Sequence, residues 1–227
     1  MINEISVILP VFNEKENITN LVDEIHEFIS KEFAAFEILL INDGSNDGTG
    51  EVLNVIKKRY GDIVNIINHY FNAGYGAALY SGFSSAKHNY IFLMDADGQF
   101  KISDLGKLIT YAEKFDIIKG YRLSRRDHFY RILMGKVYNL FIRLFFRLGV
   151  RDVNCGFQLS NKKVLAAIQV KSKGAIFPAE FLIRAKKKNF KIMEVGINHY
   201  PRISGYATGG RLKVIMSAVK ELPLLFF

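Results

Sequence analysis

Apolar runs and helical patterns alternate along the first hundred residues. Ile5 to Leu9 is a run rich in β-branched residues that Pro10 ends. The stretch from Asn17 to Ile29 then places apolar residues at helical spacing. Those apolar positions are Ile18, Leu21, Val22, Ile25, Phe28 and Ile29. This pattern predicts a strand, a polar loop and a helix that buries one face.

The same unit repeats twice, and a fourth strand follows. The further predicted strands are Glu37 to Ile41, Val64 to Ile67 and Tyr90 to Met94. The predicted helices carry Val52, Val55 and Ile56, and then span Ala77 to Ala86. Strands that are buried on both faces and separated by helices predict an α/β fold with a mostly parallel sheet flanked by helices.

Polar loops follow these strands where a parallel sheet binds its ligands. In open α/β sheets, ligands lie beyond the carboxyl ends of the strands. The loops after the first, second and fourth strands are therefore expected to meet in one crevice. They contain PVFNE, NDGSNDGTG and DADGQ, and the third strand is followed by NAGYG.

The composition is typical of a packed protein of ordinary size. Of 227 residues, 49% are hydrophobic and 23% are charged, which suffices for one sizeable core and excludes collagenous and disordered chains. The single cysteine, Cys155, excludes an internal disulfide and favours a reducing, cytoplasmic compartment. The first residues lack the pattern of a secretion signal, and no apolar run reaches about 18 residues, so we expect no membrane-spanning segment.

Charge is distributed unevenly between the two halves. Residues 1–118 hold 9 Lys and Arg against 17 Asp and Glu, whereas residues 119–227 hold 22 against 5. Such an imbalance is typical of a surface that meets nucleic acid, a phosphorylated lipid or an acidic membrane. A basic face that simply contacts solvent is the alternative. No linker or repeat separates the halves, so residues 1–227 are expected to form one compact unit.

Two carboxylates follow the fourth predicted strand. Asp95 and Asp97 can both face a divalent cation such as Mg²⁺ or Mn²⁺, and Gln99 can add a neutral oxygen. A turn or a helix cap is the alternative explanation for such a pair. Asp43 ends another inner strand, and nearby glycines permit the close backbone approach that a phosphate or nucleoside needs, although ordinary turns use glycine too. These glycines are Gly44, Gly48, Gly74 and Gly76.

Other kinds of site are disfavoured. Neither GxxxxGK[ST] nor GxGxxG follows a predicted strand, which argues against a P-loop NTPase and a dinucleotide oxidoreductase. The five histidines show no ligand spacing such as HExxH, and His199 is expected to be structural. Cys155 is expected to be small and buried. No RNA-binding motif accompanies the basic residues, so nucleic acid is not an expected partner.

Four motifs in the first half resemble the family 2 glycosyltransferases, which have the GT-A fold. They are PVFNE (10–14), NDGSNDGT (42–49), NAGYGAAL (72–79) and DADGQF (95–100). Five later segments are similar to dolichol- and polyprenyl-phosphate sugar synthases, the dolichol-phosphate mannose synthases among them. These are GYR (120–122), RILMGKVYNLFIRLFF (131–146), DVNCGFQL (152–159), FPAEFLIRA (177–185) and HYPRISG (199–205). The resemblance implies a single Rossmann-like GT-A domain with amphipathic interface helices toward the C-terminus.

The resemblance implies a binding site for a nucleotide-sugar donor. The implied donor contacts are Pro10, Phe12, Asn13, Glu14, Asp43, Gly44, Asn72, Gly74, Asp95, Ala96 and Asp97. Asp95, Asp97 and Gln99 are implied to hold Mg²⁺ or Mn²⁺, which would neutralise the charge that develops on the leaving diphosphate. Asn42 departs from the family's usual Asp-Asp-Gly-Ser, and this departure leaves the donor base and its affinity open.

The basic half is implied to hold the acceptor. Arg122, Arg131 and Arg202 match family arginines that bind the acceptor phosphate or lie near the phosphates. Surface charge is the commoner explanation for any single arginine, and it is the three matches together that favour a function. A lipid phosphate is already anionic, so it needs arginine forks rather than a general base. Asp95, Asp97 and the three arginines are thus the implied catalytic residues. A second departure is Ala207-Thr208, where the family usually has Ser-Lys.

Two apolar stretches carry scattered positive charges. Phe129 to Leu148 is rich in phenylalanine and leucine, with Arg131, Lys136, Arg143 and Arg147 between them, and Leu212 to Phe227 is similar. This pattern predicts interfacial helices whose cations extend toward lipid headgroups. A core helix with a basic outer face is the alternative.

The sequence therefore predicts a metal-dependent, inverting hexosyltransferase at the cytoplasmic face of a membrane. It would use GDP-mannose or a UDP-sugar and a dolichyl or undecaprenyl phosphate, with a membrane-protein partner or a second copy as further possible partners. The first rival is a family 2 enzyme with a saccharide hydroxyl acceptor, in which Asp152 or Glu180 would be the base. The others are a catalytically silent membrane-binding scaffold and a nucleotidyltransferase.

Overall fold

The computed structural model describes residues 2–124, 129–202 and 212–226 of the chain. Within these ranges, the side chains of four residues lie outside the description. They are Arg131, Leu212, Lys213 and Ile215.

Seven strands form one sheet. They are β1 (Glu4–Val11), β2 (Ala35–Asp43), β3 (Val64–His69), β4 (Tyr90–Met94), β5 (Ile117–Arg122), β6 (Phe157–Asn161) and β7 (Ile192–Ile197). Their order across the sheet is β3-β2-β1-β4-β6-β5-β7. Strand β6 runs antiparallel to β4 and β5, and the other pairs are parallel. The expected mostly parallel sheet is confirmed.

Helices cover both faces of this sheet. They are α1 (Ile18–Glu32), α2 (Thr49–Tyr60), α3 (Tyr75–Ser85), α4 (Leu105–Ile109), α5 (Phe129–Phe146), α6 (Lys162–Ala167), α7 (Phe177–Lys187) and α8 (Leu212–Glu221), with short 3₁₀ turns at Gly61–Ile63, Ile102–Asp104 and Leu222–Leu225. One apolar cluster joins the sheet to α1, α2 and α4, and the other joins it to α3, α5 and α7. The expected flanking by helices is therefore confirmed.

Strand β1 shows why the core has two layers. Successive side chains of a strand point to opposite faces, so Val7 and Leu9 enter the first cluster and Ile8 enters the second. All three are fully buried, as expected for a strand covered on both sides.

The predicted helix at residues 52–56 is α2, but its buried face differs from the apolar set that predicted it. Leu53 and Ile56 are buried, whereas 62% of Val55 is exposed. Val55 is one residue before Ile56, so it lies about 100° around the helix, toward solvent.

One edge of the sheet collects the loops of both halves. The carboxyl ends of the parallel strands β1, β2, β3, β4 and β5 lie at this edge. Because β6 is antiparallel, its first residue, Phe157, pairs with Met94 at the end of β4. The segment before β6 therefore reaches the same edge and lies beside the loop that follows β4.

Candidate active site

The loops that follow the first four strands contact one another in pairs. The backbone N–H of Asn13, after β1, donates to the hydroxyl of Ser45, after β2, at 3.0 Å. The hydroxyl of Tyr75, after β3, donates to Asp95 Oδ1, after β4, at 2.8 Å. The loops after β1 and β2 therefore meet, as expected, and the loop after β4 contacts the loop after β3, which was not part of that expectation.

The loop after β1 is fastened to the loop after β2 by amide groups. Asn13 has a positive φ of 58°, and its side chain exchanges two hydrogen bonds with Asn46, at 3.1 and 2.9 Å. Pro10 and Phe12, which precede Asn13 in the same loop, are half-buried. These three residues lie where a donor nucleoside was predicted.

Glu14 is the buried carboxylate of this loop. It accepts a hydrogen bond of 2.6 Å from Asn17 Nδ2, and its own backbone N–H donates to Thr49 Oγ1 at 3.0 Å. The guanidinium of Arg202 pairs with the other carboxylate oxygen. Burial raises the pKa of Glu14 to about 7, although the bond from Asn17 and the charge of Arg202 oppose that rise. Glu14 therefore ties the first predicted motif to the basic half.

Asp43 is held by the chain itself. Its two oxygens accept the backbone N–H groups of Ala73 and Gly74, at 2.9 and 3.0 Å. His69 Nδ1 lies 2.7 Å from Asp43 Oδ1, and His69 Nε2 lies 2.9 Å from Ser81 Oγ. Asp43 was predicted to contact the donor; in the structure its carboxylate anchors the loop after β3.

Three of the four predicted glycines, Gly44, Gly74 and Gly76, lie so close to neighbouring backbone that they leave no open space for a ligand at their Cβ positions, whereas a Cβ on Gly48 would meet only side-chain atoms at 3.7 Å. A Cβ on Gly44, whose φ is +68°, would lie 2.4 Å from the carbonyl carbon of Phe71. Added carbons on Gly74 and Gly76 would lie 2.8 Å and 2.7 Å from the backbone of Lys173. These glycines thus allow the loops of the site to pack on one another, and Asn72 stays exposed beside them.

Asn42, the departure from the usual first aspartate, is part of the turn after β2. Its Oδ1 accepts the N–H of Ser45 at 3.1 Å, and its Nδ2 donates to Asn68 Oδ1 at 2.9 Å. Because Ser45 in turn binds the backbone of Asn13, Asn42 helps to position the loop after β1.

Asp95 and Asp97 form a close acidic pair. Burial, followed by the negative charge of Asp97, raises the pKa of Asp95 to about 6, while Tyr75, Arg122 and Lys119 oppose the rise. Asp97 Oδ1 accepts the N–H of Gln99 at 3.1 Å. A cation bound by two neighbouring carboxylates relieves the repulsion between their negative charges.

Residues around this pair differ in their accessibility. The Gln99 carboxamide donates to the carbonyl of Tyr200 at 3.0 Å, which leaves its oxygen as the atom suited to a cation. Ala96 was predicted to touch the donor, but its side chain is buried in the core, so only its backbone suits that role.

The donor set suits Mg²⁺ or Mn²⁺ bound together with a diphosphate. Within residues 2–124, 129–202 and 212–226, no group of three or more His, Cys, Asp or Glu side chains forms a metal site by itself. Mg²⁺ commonly uses one or two carboxylates and completes its shell with substrate phosphates and water. Asp95, Asp97 and Gln99 provide oxygen ligands of that kind.

The predicted arginines are in different surroundings. Arg202 Nη1 lies 3.6 Å from Asp97 Oδ2, so Arg202 bridges Glu14 and Asp97. Arg122 Nε and Nη2 bind both oxygens of Asp152 at 2.7 Å, which fixes the plane of the guanidinium. Arg122 also lowers the pKa of Asp95 through its charge.

Some predicted features lie outside the described residues or away from the site. The side chain of Arg131 and the pair Ala207-Thr208 lie outside the described residues. Glu180 is fully buried, accepts the N–H groups of Lys171 and Ser172 at 3.0 and 2.8 Å, and pairs with Arg184. Cys155 is buried, as expected, and His199 is buried too.

Two residues of the site were missed by the sequence reasoning. Tyr75 binds Asp95 directly, and Lys119 lies buried beneath the same edge. A lysine within the apolar run before GYR was the available signal for the second, because a charged residue in a buried strand requires a polar partner.

Comparison with known proteins gives relatives along most of the chain. Residues 6–168 match the family described as "Glycosyl transferase family 2". The polyprenol monophosphomannose synthase of Mycolicibacterium smegmatis is 29% identical over 95% of this chain and 85% of its own length. A dolichyl-phosphate beta-glucosyltransferase of Trichomonas vaginalis is 29% identical over 85% of this chain, which spans 64% of that relative. The undecaprenyl-phosphate 4-deoxy-4-formamido-L-arabinose transferase of Pectobacterium atrosepticum is 28% identical over 94% of this chain and 65% of its own length.

Solved structures share the fold. Glucosyl-3-phosphoglycerate synthase from Mycobacterium tuberculosis, crystallised with Mn²⁺ and UDP-glucose, superposes with a TM-score of 0.72 at 17% identity, over 97% of this chain and 77% of that one. Mannosyl-3-phosphoglycerate synthase from Rubrobacter xylanophilus gives 0.73 at 17% identity, over 98% and 72%. The fold is therefore GT-A. Because the family match covers more than half of its 227 residues, the chain belongs to glycosyl transferase family 2.

Proposed function

We propose that this protein is a metal-dependent, inverting hexosyltransferase that acts at the cytoplasmic face of a membrane. The donor is GDP-mannose or a UDP-sugar, and the acceptor is a dolichyl or undecaprenyl phosphate. The observation that carries the proposal is the contact of Arg202 with Asp97, because it brings the basic half of the chain onto the acidic pair. Support also comes from relatives named for transfer to polyprenyl, dolichyl and undecaprenyl phosphates.

The proposed reaction needs charge stabilisation more than proton transfer. An acceptor phosphate oxygen bonds to the anomeric carbon while the bond from that carbon to the donor diphosphate breaks, so NDP leaves and the configuration inverts. The phosphate is already anionic, and therefore no side chain has to take a proton. Arg122 and Arg202 offset the repulsion between the two phosphate groups. A cation held by Asp95 and Asp97, when bound, supplies positive charge to the leaving diphosphate.

The rival with a saccharide hydroxyl acceptor needs a carboxylate base, and the two predicted candidates are engaged elsewhere. Glu180 is buried beneath the 171–172 backbone and pairs with Arg184. Asp152 binds Arg122 through both oxygens. These contacts favour the phosphate acceptor.

Incubating the protein with Mn²⁺, a membrane lipid extract and sugar-labelled GDP-mannose or UDP-glucose tests the proposal. We expect a chloroform-soluble, mild-acid-labile product together with NDP, because a glycosyl phosphate bond is formed and the diphosphate is released. A labelled oligosaccharide would instead indicate a hydroxyl acceptor. Pyrophosphate would indicate a nucleotidyltransferase, and no donor turnover in any mixture would indicate a scaffold.

Helix α5 presents an apolar surface that supports membrane binding. Eight large apolar side chains of this helix are exposed by about half or more. They are Phe129, Tyr130, Leu133, Met134, Val137, Leu140, Leu144 and Phe145. Ile142 faces the core, so α5 is neither a fully buried helix nor a purely basic outer face. An apolar stripe of this size on a surface helix marks an interaction site.

The charges of α5 favour an anionic membrane as its partner. The helix contains three basic residues, Arg131, Lys136 and Arg143, and no acidic residue. A second copy of so basic a helix would be repelled, whereas acidic lipid headgroups would be attracted. In the described part of the chain, no helix has the length and apolar character needed to cross a bilayer. Binding along the membrane surface is the arrangement that we propose.

Replacing two apolar residues of α5 should weaken vesicle binding. Leu140→Gln with Leu144→Gln removes side chains that are 54% and 67% exposed, and we expect about a tenfold or greater loss of partitioning because their burial in lipid is lost. Cosedimentation with phosphatidylglycerol vesicles measures this. The matched control is Val55→Gln with Tyr80→Gln, 62% and 58% exposed on α2 and α3. Equal binding of both double variants would exclude α5 as the membrane surface.

A further inference from the structure

Lys119 is a charged residue inside the sheet. It lies on β5, only 1% of it is exposed, and its ammonium donates to the carbonyl of Cys155 at 2.6 Å. Lysine is almost never fully buried unless it is paired. The free energy of desolvating the Lys119 ammonium is unfavourable, and in this buried position the ammonium binds one backbone carbonyl.

The carbonyl that Lys119 holds belongs to the segment before β6, which contacts Asp95. The next residue, Gly156, accepts the backbone N–H of Asp95 at 2.9 Å. Gly156 also packs against the Asp95 side chain so closely that an added Cβ would lie 1.9 Å from Asp95 Oδ2. The position of Cys155 and Gly156 therefore determines where the Asp95 carboxylate can lie.

Tyr75 holds the same carboxylate from the other side. Its hydroxyl donates to Asp95 Oδ1 at 2.8 Å, and burial raises the pKa of Tyr75, which keeps this hydroxyl a donor. Tyr75 and Lys119 both line one small cavity between the sheet and helices α3 and α7. Asp95 is thus held between the hydroxyl of Tyr75 and the backbone of Gly156. Lys119 stabilises the position of that backbone through its hydrogen bond to Cys155.

We propose that Lys119 and Tyr75 are positioning residues for the metal and diphosphate site, Lys119 through the Cys155–Gly156 segment and Tyr75 by its direct hydrogen bond to Asp95. The inference deepens the proposed function and rests on it, since it takes Asp95 as a ligand of the cation. Groups that orient metal ligands typically change metal affinity or activity 10- to 100-fold when they are removed.

The charge of Lys119 also bears on the acidic pair. Burial lowers the pKa of its ammonium, and the negative charges of Asp152 and Asp95 act in the opposite direction. Lys119 reciprocally lowers the pKa of Asp95. A neutral residue of similar length at this position would remove both the hydrogen bond to Cys155 and the charge while keeping the apolar stem.

Lys119→Met is the variant that tests the inference. We expect the affinity for Mn²⁺ in the presence of GDP or UDP, measured by electron paramagnetic resonance of free Mn²⁺, to fall about tenfold or more. The Mn²⁺ concentration that half-activates transfer should rise by a similar factor, and saturating Mn²⁺ should restore most of the rate. Tyr75→Phe should produce the same pattern, because it removes the other hold on Asp95.

Lys162→Met is the matched control. Lys162 also donates to a backbone carbonyl, that of Ala86 at 2.7 Å, but it follows β6 at the opposite edge of the sheet. We expect its Mn²⁺ affinity to equal that of the wild type, even if its Tm falls. If Lys119→Met does not fold, Gly156→Ala moves Asp95 without removing a buried charge, and the same loss of affinity is expected.

The outcomes separate this inference from the function on which it rests. Wild-type Mn²⁺ affinity in Lys119→Met and Tyr75→Phe, or in Gly156→Ala where the lysine variant does not fold, overturns the inference. A wild-type protein that binds Mn²⁺ with nucleotide but makes no lipid-linked sugar overturns the proposed function and leaves the inference standing. A wild-type protein without affinity for Mn²⁺ and nucleotide overturns both.

Discussion

Asp97→Asn is expected to lower the rate of sugar transfer about 10²- to 10³-fold, the usual effect of removing one electrostatic contact to a developing charge. Asparagine keeps an oxygen that can accept the Gln99 N–H, but it removes the negative charge that faces Arg202 and the proposed cation. The side chain is only partly buried, so we expect the free energy of unfolding to change by less than about 1 kcal/mol.

Initial rates of labelled lipid formation, together with urea unfolding, measure the two effects of Asp97→Asn. Asp116→Asn is a suitable control, because Asp116 accepts the N–H of Lys191 and pairs with Lys163 at the opposite edge of the sheet. Its transfer rate should match the wild type. A rate for Asp97→Asn within about threefold of the control would show that the acidic pair does not carry the reaction.

The strands and helices of the first half could be predicted because each is marked by apolar residues that lie close together in the sequence. Ile5 to Leu9 and Tyr90 to Met94 contain enough aliphatic residues to mark a buried strand, and the spacing from Ile18 to Ile29 marks a helix face. Their order then placed the polar loops at one edge by the geometry of parallel sheets. The contact of Asp95 with Tyr75 in the loop after β3 was not among the expected meetings, because only the loops after β1, β2 and β4 were assigned to the crevice.

Strand β6 could not be predicted in this way. Its sequence, FQLSN, is short and contains three polar residues, two of which, Gln158 and Ser160, are nevertheless buried. They satisfy each other by a hydrogen bond of 2.9 Å, a compensation that arises only in the folded strand. Because β6 is antiparallel, it brings Asp152 to Arg122, 30 residues earlier in the chain, and Gly156 to Asp95. These contacts of the site therefore depend on a strand that its own local sequence does not predict.

For Asp43, the predicted location was correct, but the predicted role was incomplete. Its place at the end of an inner strand was predicted, but its closeness to the glycine loop after β3 was not. Its hydrogen bonds to the N–H groups of Ala73 and Gly74 depend on the path of that loop in three dimensions. Nothing in the local sequence distinguishes an aspartate that binds a ligand from one that binds backbone. The structure shows that Asp43 stabilises the loop after β3 through these hydrogen bonds.

Asp43→Ala is therefore expected to lower the free energy of unfolding by about 3–5 kcal/mol, because it leaves two backbone N–H groups and His69 without their buried acceptor. Urea unfolding measures this loss, and thermal shift with GDP or UDP should show weaker nucleotide binding because the loop at residues 72–76 is released. Ser81→Ala is the matched control: it removes only the outer partner of His69 and should cost about 1 kcal/mol. If Asp43→Ala were no more destabilising than Ser81→Ala, the carboxylate would not be the anchor of this loop, and its part in the site would be direct contact with the donor.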